Sequence, residues 1–314
     1  MPSARSQEML VRAATLYYVD GLSQAEVASA IGVSRSNVSR VLAEARKAGI
    51  VTITITDPFG RASDLEQLLQ QRFGLREVRV ARGSDDDLGR VGLLGAEWLE
   101  RELPHEGAIA LSWGASVQAV VDAVEPGRSR PRLEVLPLVG GLSIVDSAQD
   151  GNVLVRSLAT RLGANHRRLY APAVVESATL RDGLLRESTI GSVLDAAAAA
   201  QIAVVGIGVV GSGASAAIVE STNLSPDEQA AFESSGAIGD CCTRFFDASG
   251  RPVDSPVDRR VVAIELEALQ GVGTVVAVAV GARKAPAVRA ALAGGLPDVL
   301  VIDEPLATAL LAEA

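Results

Sequence analysis

Cysteine and histidine are nearly absent from this chain of 314 residues, which has two of each. Cys241 and Cys242 are neighbours, a spacing that suits neither a disulfide framework nor the C-x-x-C of a redox or zinc site. They read as buried or half-buried thiols in a reducing cytoplasm. His105 follows Pro104, and His166 lies in Asn165-His166-Arg167-Arg168. Neither has a Cys or His nearby at ligand spacing, so both read as surface residues, and no metal or other cofactor is expected. A secretory signal is missing as well: Met1 to Gln7 is polar and no apolar core follows. No uncharged run is long enough to span a bilayer. The expectation is a cytoplasmic protein without a membrane partner.

Net positive charge is also lacking. The formal charge is −9, which argues against nucleic-acid binding until its distribution is considered. Through Thr56, six basic side chains face four acidic ones, a balance of +2 that leaves −11 for the remainder. An acidic body repels DNA and leaves the basic stretch as the attractive face. With 48% hydrophobic residues, the chain can bury the cores of about two domains.

The basic stretch carries a clear pattern. Ser23 and Glu26 form an S-x-x-E capping box in front of Gln24, so a helix starts there. Ala25, Ala28 and Ile31 are its expected inner face, Gly32 permits a positive φ at its end, and Val33 plugs the turn. Ser34 is an N-cap for a second helix, on which Val38, Val41, Leu42 and Ala45 follow apolar spacing. The opposite face carries Arg35, Ser36, Asn37, Ser39 and Arg40, and no acid occurs from Val33 to Ala43. A merely solvated face usually mixes Glu with Lys. Donor-rich side chains at this end are what a recognition helix presents to the major groove. The pattern is a helix-turn-helix, with Ser23, Gln24, Ser34, Arg35, Ser36, Asn37, Ser39 and Arg40 as the expected contacts to double-stranded DNA. A further amphipathic helix, Glu8 to Tyr18, precedes it. Ile50 to Thr56 alternates apolar residues with threonine, as a strand serving as a wing would. Asp57-Pro58-Phe59-Gly60 breaks the pattern. The expected domains are therefore 1–57, a DNA reader, and 58–314, a sensor that also mediates oligomerisation.

From Ser63, where a linking helix starts, helical stretches alternate with short apolar runs. Strands are expected at Val78–Ala81, Ala108–Ser112, Leu133–Val139, Arg168–Ala171, Ile202–Gly206, Val261–Leu266, Thr274–Val280 and Val299–Ile302. Alternation of this kind gives an α/β fold with a mainly parallel sheet covered on both faces. Ligands of such sheets sit beyond the carboxyl ends of the strands. Three features there stand out. Ser112-Trp113-Gly114-Ala115-Ser116 places hydroxyls and free amides at a helix start, a ready anion site. Gly140-Gly141 and Gly206-Ile207-Gly208 allow close approach of a ligand or tight packing. Lys284 follows the penultimate strand at a helix start. Together these loops point to a small phosphorylated ligand.

Over nearly its whole length the chain resembles the SorC family of bacterial sugar-responsive transcriptional regulators. The reader matches through Leu22 to Ala28, Val33 to Leu42 and Ala48 to Val51. The body matches through Ser112-Trp113-Gly114, Tyr170 to Ala173, Val205 to Gly208, Gly236 to Asp240, Phe245-Phe246-Asp247 and Lys284 to Leu292. The resemblance implies a Rossmann-like body similar to sugar-phosphate isomerases, turned into a sensor. It implies that the Ser112–Ser116 loop and Lys284 hold a phosphate and that Asp240 meets hydroxyls. Two departures, Ser116 where the family usually has Thr and Ala282 where it often has Gly, point to an effector that differs from the commonest ones. The expected function is a carbohydrate-responsive regulator, a homodimer or homotetramer whose operator affinity is controlled by a sugar, alditol or sugar phosphate. The rival is an isomerase-like enzyme with an accessory helix-turn-helix. It needs a placed base, and neither histidine lies on a loop of the expected pocket.

Overall fold

The computed structural model describes residues 4–51, 60–83, 87–142 and 147–312. The chain divides into two compact units, Met1–Thr56 and Asp57–Ala314.

In the first unit, α1 (Ala4–Ala14) runs into a π-helical turn at Thr15–Val19, followed by α2 (Gln24–Ile31) and α3 (Arg35–Lys47). The capping box forms as the spacing predicts. The Glu26 amide donates to Ser23 Oγ at 3.4 Å, and the Ser23 amide donates to Glu26 Oε2 at 2.8 Å. Gly32 takes φ +71° at the end of α2, and Ser34 Oγ accepts from the Asn37 amide at 3.3 Å to start α3. The core is Ala13, Val27, Ala28, Val38 and Leu42, extended by Leu10, Ala14 and Ala45. The inner face of α2 is thus rotated from the expected one: Val27 and Ala28 are buried and Ala25 is exposed. Most of the expected wing, residues 52–56, lies outside the described residues.

The second unit begins with α4 (Ser63–Phe73), β1 (Glu77–Ala81), α5 (Asp87–Glu102), β2 (Gly107–Leu111), α6 (Ala115–Ala123), β3 (Leu133–Pro137), α7 (Gly151–Leu162) and β4 (Asn165–His166). It continues through α8 (Ala178–Arg186), α9 (Ser188–Ala198), β5 (Ile202–Gly206), β6 (Gly208–Val209), α10 (Gly213–Ser221), α11 (Pro226–Glu233), β7 (Gly239–Cys241) and β8 (Arg244–Phe246). The chain ends with α12 (Leu266–Gln270), β9 (Val275–Ala279), α13 (Ala285–Ala293), β10 (Val299–Asp303) and α14 (Glu304–Leu311). Seven strands form one sheet in the order β1-β10-β9-β5-β2-β3-β4, every neighbouring pair parallel. Strands β6, β7 and β8 make a small antiparallel sheet.

The period of two along each strand explains the layers. Ile109, Leu111, Val204, Val276, Val278 and Val301 face α5, α6 and α7. Ala110, Ala203, Val205, Val275, Ala277 and Leu300 face the helices of the other side. From β2 the chain winds outwards to β3 and β4, and from β5 it winds the opposite way to β9 and β10. The switch in direction lies between β2 and β5, where an open α/β sheet leaves a crevice.

Two expected strands are not strands, and in both cases a side chain takes some of the backbone's hydrogen bonds. At Arg168–Ala171, Asn152 brackets Leu169, donating to its carbonyl at 3.3 Å and accepting from its amide at 2.9 Å. The strand is instead the shorter β4 just before. At Val261–Leu266, the buried Arg244 guanidinium donates to the carbonyls of Ile264, Asp258, Val261 and Ala263 at 2.9 to 3.4 Å. Only isolated bridges, Val139 with Ala263 and Val174 with Val261, remain there.

Candidate functional site

A cavity of about 530 Å³ opens beyond the carboxyl ends of β2, β5 and β9, at the switch in winding. Its first wall follows β2. The Ser112 amide donates to the Val204 carbonyl at 3.0 Å, and the Gly206 amide donates to Ser112 Oγ at 3.2 Å. Ser112 therefore laces the ends of β2 and β5 together. Gly114, at φ +105°, turns the chain into α6, whose start has no side-chain cap. Amides left free in this way attract an anion. Ala115 and Ser116 line the cavity from that first turn. Ser116 is buried, and its hydroxyl makes no hydrogen bond among the described residues.

The second wall follows β5. Gly206, Ile207 and Gly208 line the cavity, and the Ile207 carbonyl accepts from Lys284 Nζ at 2.7 Å. A Cβ on Gly208 would lie 2.0 Å from Asp240 Oδ1 and 2.2 Å from Ser215 Oγ. Glycine here lets β6 pass over the buried Asp240 of β7, which accepts from Ser215 Oγ. The third wall follows β9. Gly281, at φ +98°, is held by its amide on the Asp303 carboxylate at 3.0 Å, and a short 3-10 turn leads to Lys284.

Burial dominates the electrostatics. It pushes the Asp240 carboxyl above the usual carboxylate range, against the Ser215 hydroxyl and the Lys284 charge. It pulls the Lys284 ammonium below the usual lysine range, against Asp240 and Asp303. Two opposite charges thus share a poorly hydrated site, and each is nearer neutrality than it is in water.

Ser112, Trp113, Gly114, Ala115, Ser116, Gly206, Gly208, Asp240 and Lys284 are thus brought to one cavity. Gly140 and Gly141 are not. The Gly140 position is required by packing, since a Cβ would stand 2.6 Å from the Ala171 and Pro172 carbonyl oxygens, and Gly141 exchanges backbone bonds of 2.8 Å with Ala171 and Ala173. Sequence reasoning missed Ser212, Gly213 and Ser215 at the start of α10, which also line the cavity. The glycine- and serine-rich run Gly211-Ser212-Gly213-Ala214-Ser215 after β5 was a usable signal.

On α3, Arg35, Ser36, Asn37, Ser39 and Arg40 are all exposed. Arg40 Nη2 donates to Asn37 Oδ1, and the Ser34 and Ser36 hydroxyls are 3.0 Å apart. Ser23 and Ser34 are occupied as helix caps, and Gln24 is half-buried.

A model of the Crp-like helix-turn-helix domain matches residues 9–68, and a model of a sugar-binding domain matches residues 57–312. The sorbitol operon regulator of Klebsiella pneumoniae is 31% identical over 99% of this chain and 100% of its own length. The crystal structure of full-length SorC, the sorbitol operon regulator of that organism, superposes with a TM-score of 0.75 at 28% identity, covering 99% of this chain and 100% of SorC. The chain belongs to the SorC family. Another relative is the transcriptional regulator LsrR of Klebsiella pneumoniae, 32% identical over 98% of this chain and 94% of the relative. The deoxyribonucleoside regulator of Bacillus subtilis is 29% identical over 97% of each chain. This SorC-family chain is a DNA-binding transcriptional regulator with a sugar-binding domain. Among its described residues no helix is long and apolar enough to cross a membrane.

Proposed function

We propose that this protein regulates a carbohydrate operon, and that a sugar, alditol or sugar phosphate in the 530 Å³ cavity sets its operator affinity. One observation carries the reading. The uncapped start of α6, with a Ser116 hydroxyl that has no partner among the described residues, faces the same cavity as Asp240 and Lys284. An anion-attracting end and an end that accepts from hydroxyls suit a phosphorylated polyol. The exposed donors Arg35, Ser36, Asn37, Ser39 and Arg40 read base edges and phosphates in the major groove, with Ser23, Gln24 and Ser34 at the helix starts nearby. Two such helices in a dimer or tetramer fit a two-fold operator. The protein works in the cytoplasm, and the cavity binds without catalysing.

The deciding experiment is binding of an operator fragment across a panel of sugars, alditols and their phosphates at fixed salt, because phosphate contacts make affinity steeply salt-dependent. A shift by one compound is the expected result. Isomerisation of a bound sugar phosphate, followed by product analysis, overturns the non-catalytic reading.

A further inference from the structure

Thr243 sits in a backbone conformation that its side chain disfavours. Cys241 pairs with Arg244 across the β7–β8 hairpin, so Cys242 and Thr243 are its two loop residues, at φ +53° and +65°. Two positive φ values in a two-residue loop are ordinarily met by Asn-Gly or Gly-Gly. A β-branched residue there is a true outlier, and it persists only where its surroundings hold it in place. Those surroundings are specific. Thr243 is fully buried, and its Oγ1 accepts from Trp113 Nε1 at 3.1 Å. Asp240 stands three residues earlier on the same hairpin, and the Thr243 amide favours its ionised form. Trp113 and Asp240 line the cavity from different elements, the loop after β2 and the strand β7. Thr243 touches the first and turns the hairpin that carries the second.

We propose that Thr243 is a positioning residue: its hydroxyl, held by the left-handed turn, fixes the Trp113 indole against the hairpin that carries Asp240 and so sets the spacing of two cavity walls. The inference rests on reading the cavity as the effector site. Glycine at 243 would relax the turn but offer the buried indole no acceptor, and an unpartnered buried N–H is costly. Threonine keeps the acceptor at the expense of the backbone.

The test uses the full-length protein labelled with 15N-tryptophan. It has two tryptophans, and the indole of Trp98, which donates to Glu77 Oε2 at 3.0 Å, is the internal reference. A Trp113→Phe variant assigns the two indole signals. In Thr243→Val the Trp113 indole proton should exchange with solvent about tenfold faster, the order expected for one lost buried hydrogen bond, while the Trp98 proton is unchanged. Thr243→Ser should restore slow exchange. Thr243→Gly should exchange as fast as the valine variant, and because it relaxes the turn it keeps the test open if valine prevents folding. Unchanged Trp113 exchange in the valine or glycine variant overturns the proposal, as does fast exchange in the serine variant. The indole signal needs no ligand. A wild-type protein that ignores every compound of the panel while these exchange rates behave as stated therefore counts against the effector reading alone.

Discussion

Lys284 is where residue chemistry bears most directly on the proposed effector. Burial lowers its proton affinity, and a bound phosphate should raise it again, so an anion should bind best while the amine is protonated. The sign follows: affinity for a phosphorylated effector is full below the free-state value and declines as pH rises through it, earlier than for an ordinary lysine near 10.4. Calorimetry in buffers of different ionisation enthalpy, run as a series of rising pH, should register proton uptake where the pH passes that free-state value and none well below it. Lys284→Met should remove both the uptake and the effector response while leaving operator affinity in place. A sugar phosphate whose binding by Lys284→Met is unchanged removes that residue from the site. Gly208 makes a second residue-level prediction. A Cβ would collide with Asp240 and Ser215, and overpacking of this kind costs about 1–3 kcal/mol. Gly208→Ala should lower the melting temperature and weaken effector binding together. The place of Lys284 at the cavity was legible because it follows a strand, whereas Asp240, which lies within the short strand β7, was reached only through the family resemblance. Thr243 was not legible, because nothing in a threonine advertises a positive φ.

At the scale of elements, legibility followed the backbone's own partners. Ile202–Gly206 forms with the bounds that its pattern predicts, since a buried parallel strand has its backbone partners on both sides. Arg168–Ala171 and Val261–Leu266 misled because apolar runs look alike whether a strand, Asn152 or Arg244 supplies the partners. The β6–β7–β8 sheet and α10 were hidden in runs rich in glycine and serine with no apolar period. The recognition element was the plainest of all, because two caps and one glycine punctuate it. Its prediction is correspondingly sharp. Arg40 is exposed on the donor face of α3 and makes a side-chain hydrogen bond to its helix neighbour Asn37. Arg40→Ala should weaken operator binding by about 1–3 kcal/mol if it reads a base, with the melting temperature and effector affinity unchanged. Retained operator affinity in gel-shift titrations places the contacts elsewhere on α3.

At the scale of the whole molecule, a reader of charge +2 is joined to a body of charge −11, so electrostatics alone gives the body no affinity for DNA. On the proposed reading, control of the operator comes from coupling between the cavity and α3. Such coupling is typically about 1–3 kcal/mol, or 5- to 150-fold in affinity, and it is reciprocal. If the active compound of the panel changes operator affinity by some factor, saturating operator DNA must change the affinity for that compound by the same factor in the same sense. Fluorescence titration of the compound with and without an operator fragment, at one salt concentration, measures the second factor independently of the first. Arg40→Ala supplies the control, since DNA that no longer binds at the concentrations used cannot shift the effector. Two unequal factors in the wild type would mean that the compound acts by changing the number of assembled protomers rather than the state of each one. That outcome is separable by repeating both titrations at several protein concentrations, where coupling within one fixed assembly is invariant and coupling through assembly is not.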